Sequence, residues 1–297
     1  VDAGSNTKPA SPDGGGTTDS GGPDAGDPLT YRNSLSRCWT DPTCNRALTI
    51  AHGGDWSFSG PPYASDAALA AAFDKGADGV KIDARMTQDN VAVVAHSSPI
   101  ETYESLDCAN KKIEEMTAAQ VTDCHYALST QKFQRLDTVL DALRGKLVVQ
   151  ICVKLPADTA GIAAAVQAAT AEDFAFLEIS TSDLQTLIPT IPGADKLWYL
   201  INIENRLSEV DTLLDTIKNP RAFMYEFDPD VSVSSLVTTR LHPAGIRSFT
   251  YDKGQTLSTS AVKAHFDGGF DVVSTDVTKK AVAARIQVNT ERGISPP

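Results

Sequence analysis

From residue 130 onward the chain alternates short apolar runs with helix-patterned segments, and this alternation limits the possible folds more than any other feature. Residues 136–143 read as a helix, 147–154 as a strand, 159–170 as an alanine-rich helix and 174–179 as a strand. A strand at 197–203, a helix at 207–217, a strand at 222–227 and a helix at 231–239 continue the pattern. Strand, helix, strand and helix follow at 246–251, 260–266, 272–275 and 279–286. Strands that are apolar on both faces, each followed by a helix, belong to a parallel sheet covered on both sides. The number of strands within one domain length favours a closed α/β barrel of the TIM type, (β/α)8, over an open sheet. Such barrels place their chemistry at the C-terminal ends of the strands. His52, Asp83, Arg85, Lys154, Glu178, Asn202, Glu204, Glu226, Asp228 and Asp252 fall near those ends, where many polar residues only cap helices or face water.

Residues 1–28 are Gly, Ser, Thr, Asp and Pro with few apolar side chains, a composition that cannot offset its own ordering entropy and reads as a tether. One domain is expected over 29–290, with a short tail at 291–297. Starting at Val1 with this leader, the chain reads as a processed form, tethered through a segment that follows a secretion signal or a lipid-anchored cysteine. The net charge is −12, of which five Asp and one Lys place −4 on the tether and leave −8 on the domain. An acidic surface argues against nucleic acid as a partner and against adhesion to anionic membranes, while leaving room for a small anion in a locally positive pocket. No run approaches the roughly 18 apolar residues of a membrane span, and nothing sets an oligomeric state. Cys38 and Cys44 flank one loop and Cys108 and Cys124 bracket another, which suits two local disulfides among the three pairings four cysteines allow. Cys152, inside an apolar strand, reads as a buried thiol. The expected setting is extracellular or periplasmic.

Two histidines stand beside a charged strand. Residues 79–87 alternate, so Lys81, Asp83 and Arg85 share one face while Val80, Ile82, Ala84 and Met86 share the other. Three charges on a strand face are usually solvated. Here Asp89-Asn90 offers a two-residue hairpin turn, which would set His96 opposite Asp83. His52 closes the apolar run 48–51, where a glycine pair stops the strand. Two imidazoles with a cation and a carboxylate between them suit phosphodiester cleavage: one takes the proton of the attacking hydroxyl, the other protonates the leaving oxygen, and positive charge steadies the phosphorane. His125, His242 and His265 lack such a context and read as surface or loop residues.

The segments Ile50-Ala-His52-Gly-Gly54, Gly76-Ala-Asp-Gly-Val-Lys81-Ile-Asp83-Ala-Arg85-Met-Thr87-Gln-Asp89, Val93-Val-Ala-His96-Ser97 and Gly269-Phe-Asp-Val-Val-Ser-Thr275-Asp276 resemble the motifs of the glycerophosphodiester phosphodiesterase family. That family lies within the superfamily that includes phosphatidylinositol-specific phospholipase C. The resemblance spans residues 47 to 285 and implies a phospholipase C-like barrel with His52 and His96 as general base and acid. The departures concern the divalent ion such a family binds. Lys81 stands where the pattern has a glutamate, Tyr63-Ala-Ser lies near its E-N-T, Cys152 replaces a further glutamate, and Gly53 replaces an arginine. Asp83 alone is left as an evident ligand, and one carboxylate beside an ammonium holds Mg2+ or Ca2+ poorly. The resemblance to inositol-lipid phospholipases C gives Arg85 and Lys154 matching basic residues.

The expectation is therefore a metal-independent, secreted phosphodiesterase with no cofactor, the alternative being Mg2+ or Ca2+ through Asp83. Catalysis would fall to His52, His96, Asp83 and Arg85, with Asp83 orienting the imidazoles. Lys81 and Lys154 would bind a small phosphodiester or a phospholipid head group. A non-catalytic barrel holding a phosphate or polyol is the rival reading.

Overall fold

The computed structural model describes residues 32–35, 38–254 and 256–294. The tether at 1–28 and residues 295–297 of the tail lie outside them. Ten strands run in chain order as β1 (Leu48–His52), β2 (Gly79–Met86), β3 (Ala92–Val94), β4 (Gln134–Arg135), β5 (Val148–Val153), β6 (Ala175–Ser180), β7 (Trp198–Glu204), β8 (Ala222–Phe227), β9 (Arg247–Asp252) and β10 (Val272–Thr275). Eight of them are parallel and follow one another around a closed barrel, because β1 pairs with both β10 and β2. This is the expected (β/α)8 barrel. The short strands β3 and β4 are antiparallel additions beside β2.

The apolar pattern sorts into three cores. Val80, Ile82 and Ala84 of β2 join Val149, Ile151, Leu177 and Ile201 under the surrounding helices. Inside the lower barrel, Leu48, Ile50, Val148, Phe176, Phe223 and Phe249 pack on Leu35 and Trp39 of the segment that precedes β1. A third cluster, with Val93, Ile113, Val121 and Phe133, fills the insertion that carries β3 and β4. The lower end is sealed by Arg247, fully buried, whose guanidinium donates to the carbonyls of Cys38, Asp41, Cys44 and Arg46. Cys38–Cys44 closes the same loop and Cys108–Cys124 staples the insertion.

Helix starts follow recognisable caps. Ser65 caps Asp66–Asp74, Thr117 and Gln120 form a capping box on Ala118–Asp123, and Ser258 caps Thr259–Asp267. Departures from expectation occur where backbone geometry is irregular. The helix expected at 207–217 is helical over Ser208–Thr212 and then widens into a π turn, Leu213–Ile217, ended by Lys218 at φ +47°. The one expected at 231–239 begins only at Ser234. A six-residue helix, Thr181–Thr186, follows β6 where none was expected. The last helix runs through Glu291, so the domain extends one residue into the expected tail.

The hairpin register also needs correction. Ala84 pairs with Val94 and Arg85 with Val93, so Asp83 faces Ala95 and not His96. The turn has three residues, with Asn90 left-handed at φ +58° and the Thr87 hydroxyl donating to Asp89 at 2.6 Å. A type I turn followed by a left-handed residue shifts the pairing by one relative to a two-residue turn.

Arg247→Met should leave four backbone carbonyls, two of them in buried hydrogen bonds, without their donor. A loss of about 3–5 kcal/mol in urea unfolding is expected; an unchanged midpoint would show that the lower seal does not hold the barrel together.

Candidate active site

Parallel pairing of β1 with β10 sets Ala51 beside Thr275, and the next residues, His52 and Asp276, meet above the barrel. His52 Nδ1 lies 2.8 Å from Asp276 Oδ1 and 3.1 Å from the Tyr251 hydroxyl, whose ring stacks on the imidazole at 4.2 Å. The Gly254 amide donates to the other Asp276 oxygen at 3.0 Å. A carboxylate on Nδ1 holds the proton there and leaves the Nε2 lone pair for chemistry. Asp276, and not Asp83, thus orients this ring.

On the Nε2 side stands Lys81. Its three N–H groups have three acceptors: Asp83 Oδ1 at 2.6 Å, the Tyr63 oxygen at 3.3 Å and His52 Nε2 at 3.4 Å. Lys154 adds a second ammonium 2.9 Å from Asp83 Oδ1, and the Tyr63 hydroxyl donates to Oδ2 at 2.7 Å. Burial alone would raise the Asp83 pKa, yet Lys81 and Lys154 together hold it well below the usual carboxylate range. Burial would likewise discharge Lys81, but Asp83 keeps it charged with a raised pKa. His52 is lowered to about 4, first by burial and then by Lys81, against the opposing pull of Asp276.

Tyr63 reaches this cluster because residue 53 has no side chain. Gly53 turns the chain at φ +68°, and a Cβ there would lie 2.0 Å from the tyrosine ring. The two positions are therefore coupled sterically.

His96 enters from the insertion. Its amide and that of Ser97 donate to Glu104, while the Arg85 guanidinium donates to the His96 carbonyl at 3.0 and 2.8 Å. Arg85 thus positions the loop through its Nε and Nη2 donors on that carbonyl. The His96 Nδ1 lies 3.0 Å from the Ser97 hydroxyl and 3.2 Å from that of Tyr103. Burial lowers its pKa, against Asp83, which raises it. The Tyr63 ring centroid is 5.1 Å from that of His52 and 6.0 Å from that of His96. His52, Asp83 and His96 line one cavity of about 1060 Å³.

Below this cluster, Glu178 accepts from Gln150 at 2.8 Å and from the Cys152 thiol at 3.4 Å. Cys152 is unpaired, as expected of it, and partly buried as a residue; burial pushes its thiol pKa up. Burial and Glu178 push the Glu226 carboxyl well above its ordinary range. Among the described residues no group of three or more His, Cys, Asp or Glu side chains is placed to hold a metal ion. Asp83 has both oxygens engaged by two ammoniums and a phenol, so the residues present do not fit a divalent ion there. The remaining histidines pair with carboxylates: His125 with Asp107, His242 with Asp271, and His265 with Asp252. His265 lies on the helix Thr259–Asp267, not on a loop.

Sequence reasoning brought together His52, Lys81, Asp83, His96 and Lys154, and it missed Tyr63, Tyr251, Tyr103 and Glu104 as partners. Asp276 stood in the closing Thr275-Asp276 motif, which was its only signal.

Comparison with known proteins gives a family model, the glycerophosphoryl diester phosphodiesterase family, matching residues 62–279. A search of curated sequences gives no match. Among solved structures, a glycerophosphoryl diester phosphodiesterase from Parabacteroides distasonis is 16% identical with a TM-score of 0.67, covering 84% of this chain and 88% of the other. One from Agrobacterium tumefaciens is 20% identical with a TM-score of 0.64, covering 80% and 99%. A phosphodiesterase from Oleispira antarctica, solved with the product sn-glycerol-3-phosphate, is 15% identical with a TM-score of 0.63, covering 82% and 98%.

If His52 acts as base it must be neutral, which holds above about pH 4; if His96 acts as acid it must be protonated, which holds only below a pKa that is itself under 6.5. The pH profile of kcat/KM should therefore be a bell with its optimum on the acid side of 6.5. Asp276→Asn should lower kcat by about 10²–10⁴-fold, since the ring loses its fixed tautomer. A wild-type optimum above neutrality would contradict this assignment.

Proposed function

The chain belongs to the glycerophosphoryl diester phosphodiesterase family, whose members are phosphoric diester hydrolases, and from this premise we propose that it cleaves phosphodiesters with side-chain cations in place of a divalent ion. One observation carries the reading: the Lys81 ammonium lies within reach of Asp83, Tyr63 and His52, three residues that line the same cavity as His96.

Lys154 receives the phosphate, and the Lys81 ammonium, its N–H groups taken up by Asp83, Tyr63 and His52, adds fixed positive charge beside it. The bound anion offsets the ammonium beside His52 Nε2 and thereby raises that nitrogen's affinity for a proton. His52 then takes the proton of the attacking hydroxyl as its oxygen bonds to phosphorus. His96 gives a proton to the leaving oxygen as the other phosphorus–oxygen bond breaks. Proton uptake and release balance across the two rings. A hydroxyl carried by the substrate itself is favoured as nucleophile over water, because no metal holds a water in line and an intramolecular attack avoids the entropy of fixing one. A cyclic phosphate is then the first product, opened by water with the histidine roles exchanged. Arg85 and Glu104 act through the backbone around His96. Two disulfides support an extracellular or periplasmic setting.

The test compares alkyl and aryl diesters. Turnover should persist with chelator. His52→Ala should cost about 10²–10⁴-fold on both substrates. His96→Ala should cost about 10²-fold or more on a hydroxyalkyl alkyl diester but little on 2-hydroxypropyl p-nitrophenyl phosphate, whose leaving group needs no proton. Loss of activity with chelator, restored by Mg2+ or Ca2+, would overturn the metal-free mechanism.

A further inference from the structure

We propose that the alcohol released by this site carries long acyl chains and is drawn from a lipid surface on which the mouth of the barrel docks. The inference rests on the phosphodiester cleavage proposed above and names its substrate class.

The cavity that holds His52, Asp83 and His96 is lined largely by apolar side chains, among them Trp56, Phe58, Tyr103, Leu106, Leu128 and Phe133. Lys154 stands behind Asp83, outside that lining. His96 belongs to the apolar wall. The alcohol it protonates therefore departs into apolar surroundings. A glycerol or other small polyol as leaving group would have no use for such a wall. The volume of about 1060 Å³ stands at the top of the roughly 300–1,000 Å³ span of small-molecule pockets, more than a deacylated diester fills.

The rim gives an independent sign. Phe58 is 86% exposed, Leu128 93%, Leu106 61% and Tyr103 59%. Leu155 and Leu207, the residues exposed just beyond β5 and β7, lie at the same end of the barrel. Of the seven most exposed large apolar residues described, only Ile286 is elsewhere. Scattered exposed leucines are ordinary, but their concentration around one opening marks a docking face. What docks there is continuous with the catalytic cavity, so it carries the substrate. The Gly/Ser/Asp-rich residues 1–28 have too few apolar side chains to fill the wall. With a net charge of −12, the protein would be repelled by an anionic bilayer and should settle on a zwitterionic one.

The experiment uses head groups that carry a hydroxyl beside the phosphate, with and without chains: glycerophosphoinositol and glycerophosphoglycerol, each against the corresponding lipid in phosphatidylcholine vesicles. 2-Hydroxypropyl p-nitrophenyl phosphate serves as the soluble reference. The full chain should sediment with phosphatidylcholine vesicles and turn over at least one long-chain member about tenfold or more better in kcat/KM than its deacylated partner. The double variant Leu155→Ser, Leu207→Ser, at exposed rim positions that do not line the cavity, should lower the ratio of lipid to reference turnover by about tenfold or more, and undiminished reference turnover shows that the fold survives. Equal or better turnover of the deacylated members overturns the proposal, as does vesicle binding without lipid cleavage. A concentration-dependent dimer that the double variant dissolves, with no vesicle binding, overturns it in favour of a second copy on this face. Reference turnover without lipid turnover sinks this inference alone; no turnover of any diester sinks the mechanism beneath it as well.

Discussion

The site depends on a buried ammonium whose every proton is placed. Taking Lys81 and Asp83 out of water costs several kcal/mol for each charge, and their attraction offsets that only when the remaining donors and acceptors are also satisfied. Tyr63 supplies an acceptor for Lys81 and a donor for the second Asp83 oxygen, Lys154 adds a second cation, and His52 accepts the last N–H. An arrangement of this kind is a poor device for stability. Its product is a fixed positive charge beside an imidazole that it keeps neutral.

The surrounding residues follow from that constraint. Tyr63 approaches only because Gly53 is bare, so the missing side chain at position 53 and the aromatic ring at position 63 are sterically coupled. Asp276 opposes Lys81 across the imidazole ring, one pulling the pKa up and the other down, which fixes both tautomer and charge state. Arg85 is on the charged face of β2 as alternation requires, yet it binds a carbonyl. The consequence is a rigid support for His96, whose ring hangs on an insertion outside the barrel.

How much of this could be read in the sequence depends on the range of the interaction. The barrel strands were legible because parallel strands buried on both faces have no polar alternation to obscure them, and 222–227 and 272–275 were placed residue for residue. The helices after β7 and β8 were expected as well, but their π turns at Leu213–Ile217 and Val237–Leu241 were not, since a π turn has no composition of its own. The hairpin failed by a single residue: Asp89-Asn90 is compatible with two turn lengths, and the Thr87 hydroxyl decides between them. Lys81 and Asp83 are two residues apart on one strand, so their meeting was a local matter. Tyr251 reaches His52 from β9, across the β10–β1 seam that closure of the barrel creates, while Tyr63 reaches it through the fold of the loop after β1, which turns at Gly53.

The most direct measurement is a 15N NMR titration of His52 in the wild type and in Lys81→Met. With the ammonium in place, the ring should remain neutral at pH 7, protonated on Nδ1, and should titrate near pH 4. Removing Lys81 takes away a positive neighbour, so the titration should move upward. A wild-type His52 that titrates near 6.5 and is indifferent to Lys81→Met would contradict the account at its centre.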